Sequence, residues 1–137
     1  TYVPGRNSVF LSLAMSCAET QGADVIFFGA NAMDYSGYPD CRPEYLEAFA
    51  AAVTCGMKAG TDGRRIEIKT PLLRMTKKEI VLLGTELKVP FAKTWSCYEG
   101  DLKPCGSCDA CLLRAKGFRE AGVPDPLLEV APDPSLG

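Results

Sequence analysis

The sequence predicts an α/β fold: a parallel sheet flanked by helices, with a four-cysteine zinc-binding segment towards its carboxyl end. Three observations carry this reading. Stretches with apolar residues three and four apart alternate with short β-branched and aromatic runs, the order that a parallel sheet with helical crossovers requires. Glycine-containing turns separate the stretches. Four of the seven cysteines fall in the fifteen residues from Cys97 to Cys111.

After the turn signal Val3-Pro4-Gly5, Val9, Phe10, Leu13, Ala14, Cys17 and Ala18 recur at helical spacing until Gly22, which predicts a half-buried helix with a glycine stop. Cys17 falls on that apolar stripe, and Asn7 is a candidate helix cap. Asp24-Val25-Ile26-Phe27-Phe28, ending at Gly29, reads as a short buried strand. The long polar and aromatic stretch Gly29 to Arg42 then reads as a loop at the carboxyl end of that strand, where active-site loops of such sheets lie. Pro43 can occupy a first helical turn, opening a second helix to about Met57 through Tyr45, Leu46, Phe49, Ala50 and Val53, with Cys55 expected in or near the core. Gly60 to Gly63 turns the chain into a second strand, Ile66-Glu67-Ile68. Thr76-Lys77-Lys78-Glu79 is a capping box that opens a helix to about Leu87. A cysteine-rich loop follows from Pro90, then a helix from about Asp109 to Ala121 and a proline-rich, irregular tail.

Composition narrows the chemistry. The 137 residues include no histidine, which removes Ser-His-Asp and Cys-His catalysis and His-ligated metals. Lys plus Arg total 15 against 17 Asp plus Glu, a net charge of -2 with no long basic run, so a nucleic-acid backbone is not the expected partner and a small molecule is. No apolar run approaches a membrane span and the start lacks signal-peptide character, which points to a cytoplasmic protein with reduced cysteines.

The spacing Cys97-x7-Cys105-x2-Cys108-x2-Cys111 lets neighbouring thiolates converge on one cation. Gly106 relieves the backbone in the knuckle, and four thiolates without histidine make a closed, structural zinc site. Buried or disulfide-linked cysteines and an iron-sulfur cluster are the alternatives. Trp95 and Ser96, beside the first thiol, are expected to pack around the metal.

Several blocks resemble a known family. These are Val3-Pro4-Gly5-Arg6-Asn7, Asn31-Ala32, the run Asp34-Tyr35-Ser36-Gly37-Tyr38-Pro39-Asp40-Cys41-Arg42-Pro43-Glu44, Thr76-Lys77 with Glu79-Ile80, and Thr94-Trp95-Ser96-Cys97-Tyr98 with the remaining three cysteines. They are similar to the 7-cyano-7-deazaguanine synthases, the QueC family of queuosine precursor biosynthesis, over Val3 to Asp125. The resemblance implies an ATP-dependent ligase: 7-carboxy-7-deazaguanine is activated as an adenylate, ammonia gives an amide, and a second ATP-dependent activation dehydrates the amide to the nitrile. It also implies a Rossmann-like sheet of the adenine nucleotide hydrolase type, Mg2+ with the ATP, and a homodimer.

Members of that superfamily cradle pyrophosphate in a Ser-Gly-Gly-x-Asp-Ser loop, and the sequence contains none. The expectation is therefore a fragment, inactive alone. Residues 1–93 form the carboxyl-terminal part of an ATP-pyrophosphatase-type domain, 94–123 the zinc-binding loop and helix, and 124–137 the tail. A stand-alone zinc-stapled binding module and another ATP-pyrophosphatase-type ligase are the competing readings.

Residue roles follow from chemistry and resemblance together. Asp34, Asp40 and Arg42 offer two carboxylates and a guanidinium to a deazaguanine that carries both N-H donors and carbonyl and carboxylate acceptors. Tyr35 and Tyr38 are placed to stack on the heterocycle. Arg6 at a helix start and Lys77 in a first helical turn are the ATP phosphate candidates. No residue is assigned to the proton transfers.

Overall fold

The structure is a computed structural model that describes residues 2–33 and 38–127. The chain forms two compact units that divide between Arg74 and Met75.

The first unit holds helix α1 (Arg6–Gln21), strand β1 (Val25–Phe27), a 3-10 turn (Pro39–Cys41), helix α2 (Pro43–Gly56), a single helical turn α3 (Lys58–Thr61) and strand β2 (Glu67–Lys69). The two strands pair in parallel, Val25 opposite Glu67, Ile26 opposite Ile68 and Phe27 opposite Lys69. Parallel pairing needs a long crossover, and α2 lies within it. The α/β class is therefore the one the sequence predicts. At the carboxyl end of α1, Gly22 adopts φ 68°, and the N-H groups of Gly22 and Ala23 close the last turn onto Glu19 and Ala18.

The core face of α1 differs from the expected stripe. Asn7, Leu11, Met15 and Ala18 are buried, whereas Val9, Phe10 and Leu13 are more than half exposed. The helix carries apolar residues on two opposite faces, so helical spacing alone does not choose between them. Leu11 packs with Ala30 and Leu46, and Met15 with Ala18, Ala59 and Ile66. Cys17, on the other face, and Cys55 are both exposed, contrary to their expected place in or near the core. Phe27 is also exposed, because β1 has a neighbouring strand on one edge only among the described residues. Asn7 is no cap, since Gly5 holds that position with φ 66°.

Helix α3 replaces part of the expected turn. The Glu19 carboxylate accepts the Ala59 N-H at 2.6 Å, satisfying an amide at its start. Gly60 lies so close to the Thr54 carbonyl that no Cβ fits there.

The second unit is built on α4 (Lys77–Glu86), a 3-10 turn (Phe91–Lys93) and α5 (Asp109–Ala121). The capping box forms as expected: Thr76 Oγ1 accepts the Glu79 N-H at 3.3 Å and the Glu79 carboxylate accepts the Thr76 N-H at 2.7 Å. Gly117 of α5 packs against Lys77 of α4, and Gly84 of α4 lies beneath the ring of Phe91 in the 3-10 turn. Phe91 in turn meets Phe118 edge to face, with ring centroids 5.0 Å apart. No helix among the described residues is long and apolar enough to cross a membrane.

Candidate functional site

Two groups of chemistry-bearing side chains stand out, one in each unit. In the second unit the thiols of Cys97, Cys105, Cys108 and Cys111 lie within 4.8 Å of one another. A tetrahedral zinc with bonds of about 2.3 Å places its sulfurs roughly 3.8 Å apart. The Cys97 to Cys108 and Cys105 to Cys111 separations, 3.9 and 4.0 Å, already match that cage. The donor set thus fits one thiophilic cation held by four residues.

Local backbone explains the convergence. Gly106 takes φ 74° in the knuckle, the left-handed conformation that glycine adopts at no steric cost. The turn points the Cys108 N-H at Cys105 Sγ, 3.3 Å away. Cys97 Sγ likewise accepts from the amides of Gly100 at 3.1 Å and Cys105 at 3.3 Å. These amides, that of Cys105 foremost, favour the thiolate and bring the Cys97 pKa down to about 6. The Cys108 thiol is also lowered, chiefly by the Tyr98 backbone. Cys111 is the opposite case, its thiol pushed up to about 12 by burial. A bound dication reverses that preference, since a coordinating thiol is deprotonated outright. Trp95 donates its indole N-H to the Cys97 carbonyl at 2.8 Å, fixing the backbone of the first thiol.

In the first unit the chain beyond the carboxyl end of β1 returns to the amino end of α1. Asp40, in the 3-10 turn, is buried at 7% exposure, and its Oδ2 accepts the Asn7 N-H at 3.0 Å. The carboxylate thereby satisfies an amide of the first turn of α1, where the helix dipole favours negative charge. Its other oxygen, Oδ1, is buried and has no hydrogen-bond partner among the described residues. Next to it, Cys41 Sγ accepts from Asn7 Nδ2 at 3.3 Å. Burial, and after it the Asp40 charge, push the Cys41 thiol up, so it is neutral at ordinary pH. An ionised carboxylate only accepts hydrogen bonds. Whatever meets Oδ1 must bring a donor.

The other expected site residues are distributed as follows. Arg6 is in the first turn of α1, half-buried and close enough to Cys41 for its charge to act on the thiol. Tyr38 stacks obliquely on Tyr2, with centroids 6.4 Å apart. Arg42 precedes α2, is exposed, and its Nε donates to the Pro39 carbonyl at 3.3 Å. Asp34 and Tyr35 lie outside the described residues. Lys77 opens α4 in the second unit, packed against Gly117. The structure therefore brings Arg6, Asp40 and Cys41 together.

Sequence reasoning missed Asn7 as Asp40's partner and overlooked Arg114 and Asp125. That last pair is almost wholly buried, with a 2.6 Å contact. Burial alone would raise the Asp125 pKa, but the hydrogen bonds and charge of Arg114 outweigh it and hold the carboxyl below its ordinary range. The arginine lies in a helix and the aspartate in a Pro-Asp-Pro segment, and neither forms a motif by itself.

Fold and site together define an α/β chain with a parallel strand pair, a buried carboxylate in the 3-10 turn that follows its first strand, and a four-thiol cluster that could hold a metal ion. A family model described as "Queuosine biosynthesis protein QueC" matches residues 1–122. The chain belongs to that family. Proteins named 7-cyano-7-deazaguanine synthase are similar to it. One from Leptospira interrogans is 60% identical over 124 residues, covering 90% of this chain and 51% of that protein. Another from Anaeromyxobacter is 57% identical over 131 residues, 95% of this chain and 56% of the relative. A third, from the archaeon Thermoplasma acidophilum, is 56% identical over 127 residues, 93% and 53% respectively. The chain spans about half the length of these relatives.

Proposed function

We propose that this chain supplies the substrate-recognition loop and zinc-binding part of a 7-cyano-7-deazaguanine synthase. The observation that carries the geometric side of this reading is Asp40 Oδ1, buried and without a hydrogen-bond partner among the described residues. Family membership and the relatives' names support the reaction class. In that reaction the substrate carboxylate attacks the α-phosphorus of ATP, giving an acyl adenylate and pyrophosphate. Ammonia displaces AMP to form the amide, losing a proton. A second ATP activates the amide oxygen as its adenylate with release of pyrophosphate, and that oxygen leaves with AMP as the amide nitrogen gives up its two protons and the carbon-nitrogen triple bond forms.

Within this reading the residues take the following roles. Asp40 Oδ1 accepts an N-H from the deazaguanine ring or its amino group, and the Asn7 amide holds the other oxygen so that the carboxylate is already aimed. Arg42 meets an acceptor on the substrate, and Asp34, Tyr35 and Tyr38 are further candidates for substrate contact. Arg6 in the first unit and Lys77 in the second are, each by itself, candidates for contact with ATP phosphate, and ATP binds with Mg2+. Cys97, Cys105, Cys108 and Cys111 hold Zn2+, which when bound supplies a structural cross-link and no open coordination position.

A chimera tests the proposal: this chain replaces the matched half of the Leptospira relative, and products from 7-carboxy-7-deazaguanine, ammonium and ATP are followed by mass spectrometry. Appearance of the nitrile with AMP and pyrophosphate is the expected result. A folded, ATP-binding chimera that releases neither amide nor nitrile refutes it.

A further inference from the structure

One guanidinium ties together both flanks of the cysteine loop. Arg114 is one helical turn past Cys111 on α5, and its acceptors include Thr94, three residues before Cys97. Its Nε donates to Asp125 Oδ2 at 2.6 Å, and Nη2 to Asp125 Oδ1 at 2.7 Å and the Phe91 carbonyl at 3.2 Å. Nη1 donates to the Thr94 carbonyl at 3.2 Å and to Thr94 Oγ1 at 2.8 Å. A guanidinium has five N-H groups, and five acceptors are present. Both charged side chains are at most 10% exposed, and Asp125 Oδ1 also accepts the Leu127 N-H at 3.1 Å. The Arg114 guanidinium lies 5.1 Å from the centre of the Phe118 ring.

This arrangement bears on metal capture. Between Thr94 and Asp109 the chain has neither helix nor strand, so within the loop only its turns and the amides that donate to Cys97 and Cys105 draw Cys97 towards Cys111. A cation that gathered all four thiols from an open chain would have to close that loop against its entropy. The clamp closes it from outside, using no thiol and leaving the cage free for the cation.

We propose that Arg114, with Asp125 as its counter-ion, is a positioning residue that pre-closes the four-cysteine loop and thereby raises its affinity for a thiophilic dication. This rests on the reading that the four thiols bind a metal. Lysine cannot replace the arginine, because a compact ammonium with three donors cannot span the carboxylate and two backbone segments as a planar fork does.

The test uses the whole 137-residue chain, stripped of metal under reducing conditions. Co2+ is titrated by its thiolate charge-transfer absorption and Zn2+ by competition with a chromogenic chelator. Helicity of the zinc-loaded form is read by circular dichroism. Arg114→Lys is expected to bind both ions about tenfold more weakly, equivalent to about 1.4 kcal/mol. Its cobalt spectrum should stay unchanged, because the four ligands are the same. Thr94→Val, which removes the bond that Thr94 Oγ1 accepts from Arg114 and the one it donates to the Phe91 carbonyl at 2.8 Å, should weaken binding a few-fold with helicity intact. If Arg114→Lys does not fold even with zinc, Thr94→Val decides: weaker binding supports the clamp, and wild-type affinity overturns it. Wild-type affinity in a folded Arg114→Lys also overturns it. A wild-type chain that takes up neither ion defeats the metal reading itself, a result distinct from failure of the clamp.

Discussion

Replacing Gly84 by alanine sets two effects against each other, and the structure decides which wins. In a helix interior alanine is favoured over glycine by about 1 kcal/mol. A Cβ on Gly84, however, would stand 2.5 Å from Cζ of Phe91 and 3.3 Å from both Cε atoms. The ring cannot retreat freely. Phe118 meets it edge-on at 5.0 Å, and Arg114 holds the Phe91 carbonyl at 3.2 Å. Overpacking of this kind costs about 1–3 kcal/mol. The clash therefore exceeds the propensity gain, for a net loss of about 1 kcal/mol. Urea unfolding followed by circular dichroism measures it, and the control is the same change in a Phe91→Leu background. With the ring removed, Gly84→Ala should become stabilising by up to about 1 kcal/mol. A Gly84→Ala protein more stable than wild type in the Phe91 background would refute the packing argument.

Further predictions follow from the second unit. Because the Asp125 carboxyl is held below its ordinary value in the folded protein, its contribution is full above the unfolded-state pKa and lost as pH falls through the lower folded one. Stability at moderate salt should accordingly drop below about pH 4, and Asp125→Asn should flatten that part of the profile. Thr76→Ala removes the acceptor for the Glu79 amide and half of a capping box, and should cost about 1 kcal/mol in chemical unfolding. Chelation of the metal at neutral pH should lower the melting temperature, with re-addition of zinc restoring it. Cys111→Ser, at a buried ligand, should abolish that zinc response.

The parts legible in the sequence were those encoded over short spans. A capping box is a four-residue pattern, a glycine stop is one residue, and two-residue gaps between cysteines confine their thiols wherever the chain goes. The two parallel strands were visible as short β-branched runs between helices. The burial of α1 was legible only at Ala18, because Val9, Phe10 and Leu13 make as good a stripe as Leu11 and Met15, and only the partners Ala30, Leu46 and Ile66 distinguish them. Asp40 was identifiable as a chemically useful carboxylate. That Asn7, thirty-three residues earlier, occupies one of its oxygens is a tertiary fact with no local trace. The Arg114 fork was hidden for the same reason: its acceptors on Phe91 and Thr94 lie 23 and 20 residues away, and three of the five are backbone or hydroxyl oxygens that any sequence could supply.

The account turns on Asp40 Oδ1, which has no hydrogen-bond partner among the described residues. Asp40→Asn keeps the side chain's shape and lets its amide oxygen still accept the Asn7 N-H, but it places an NH2 donor where Oδ1 now awaits one. Steady-state kinetics of the complete chimeric enzyme, with 7-carboxy-7-deazaguanine and ATP varied in turn, measure the consequence. The predicted result is a KM for the deazaguanine raised about tenfold or more, with the KM for ATP unchanged, as for the loss of a charge-assisted hydrogen bond. An unchanged KM for the deazaguanine would contradict the assignment of Asp40 to substrate recognition.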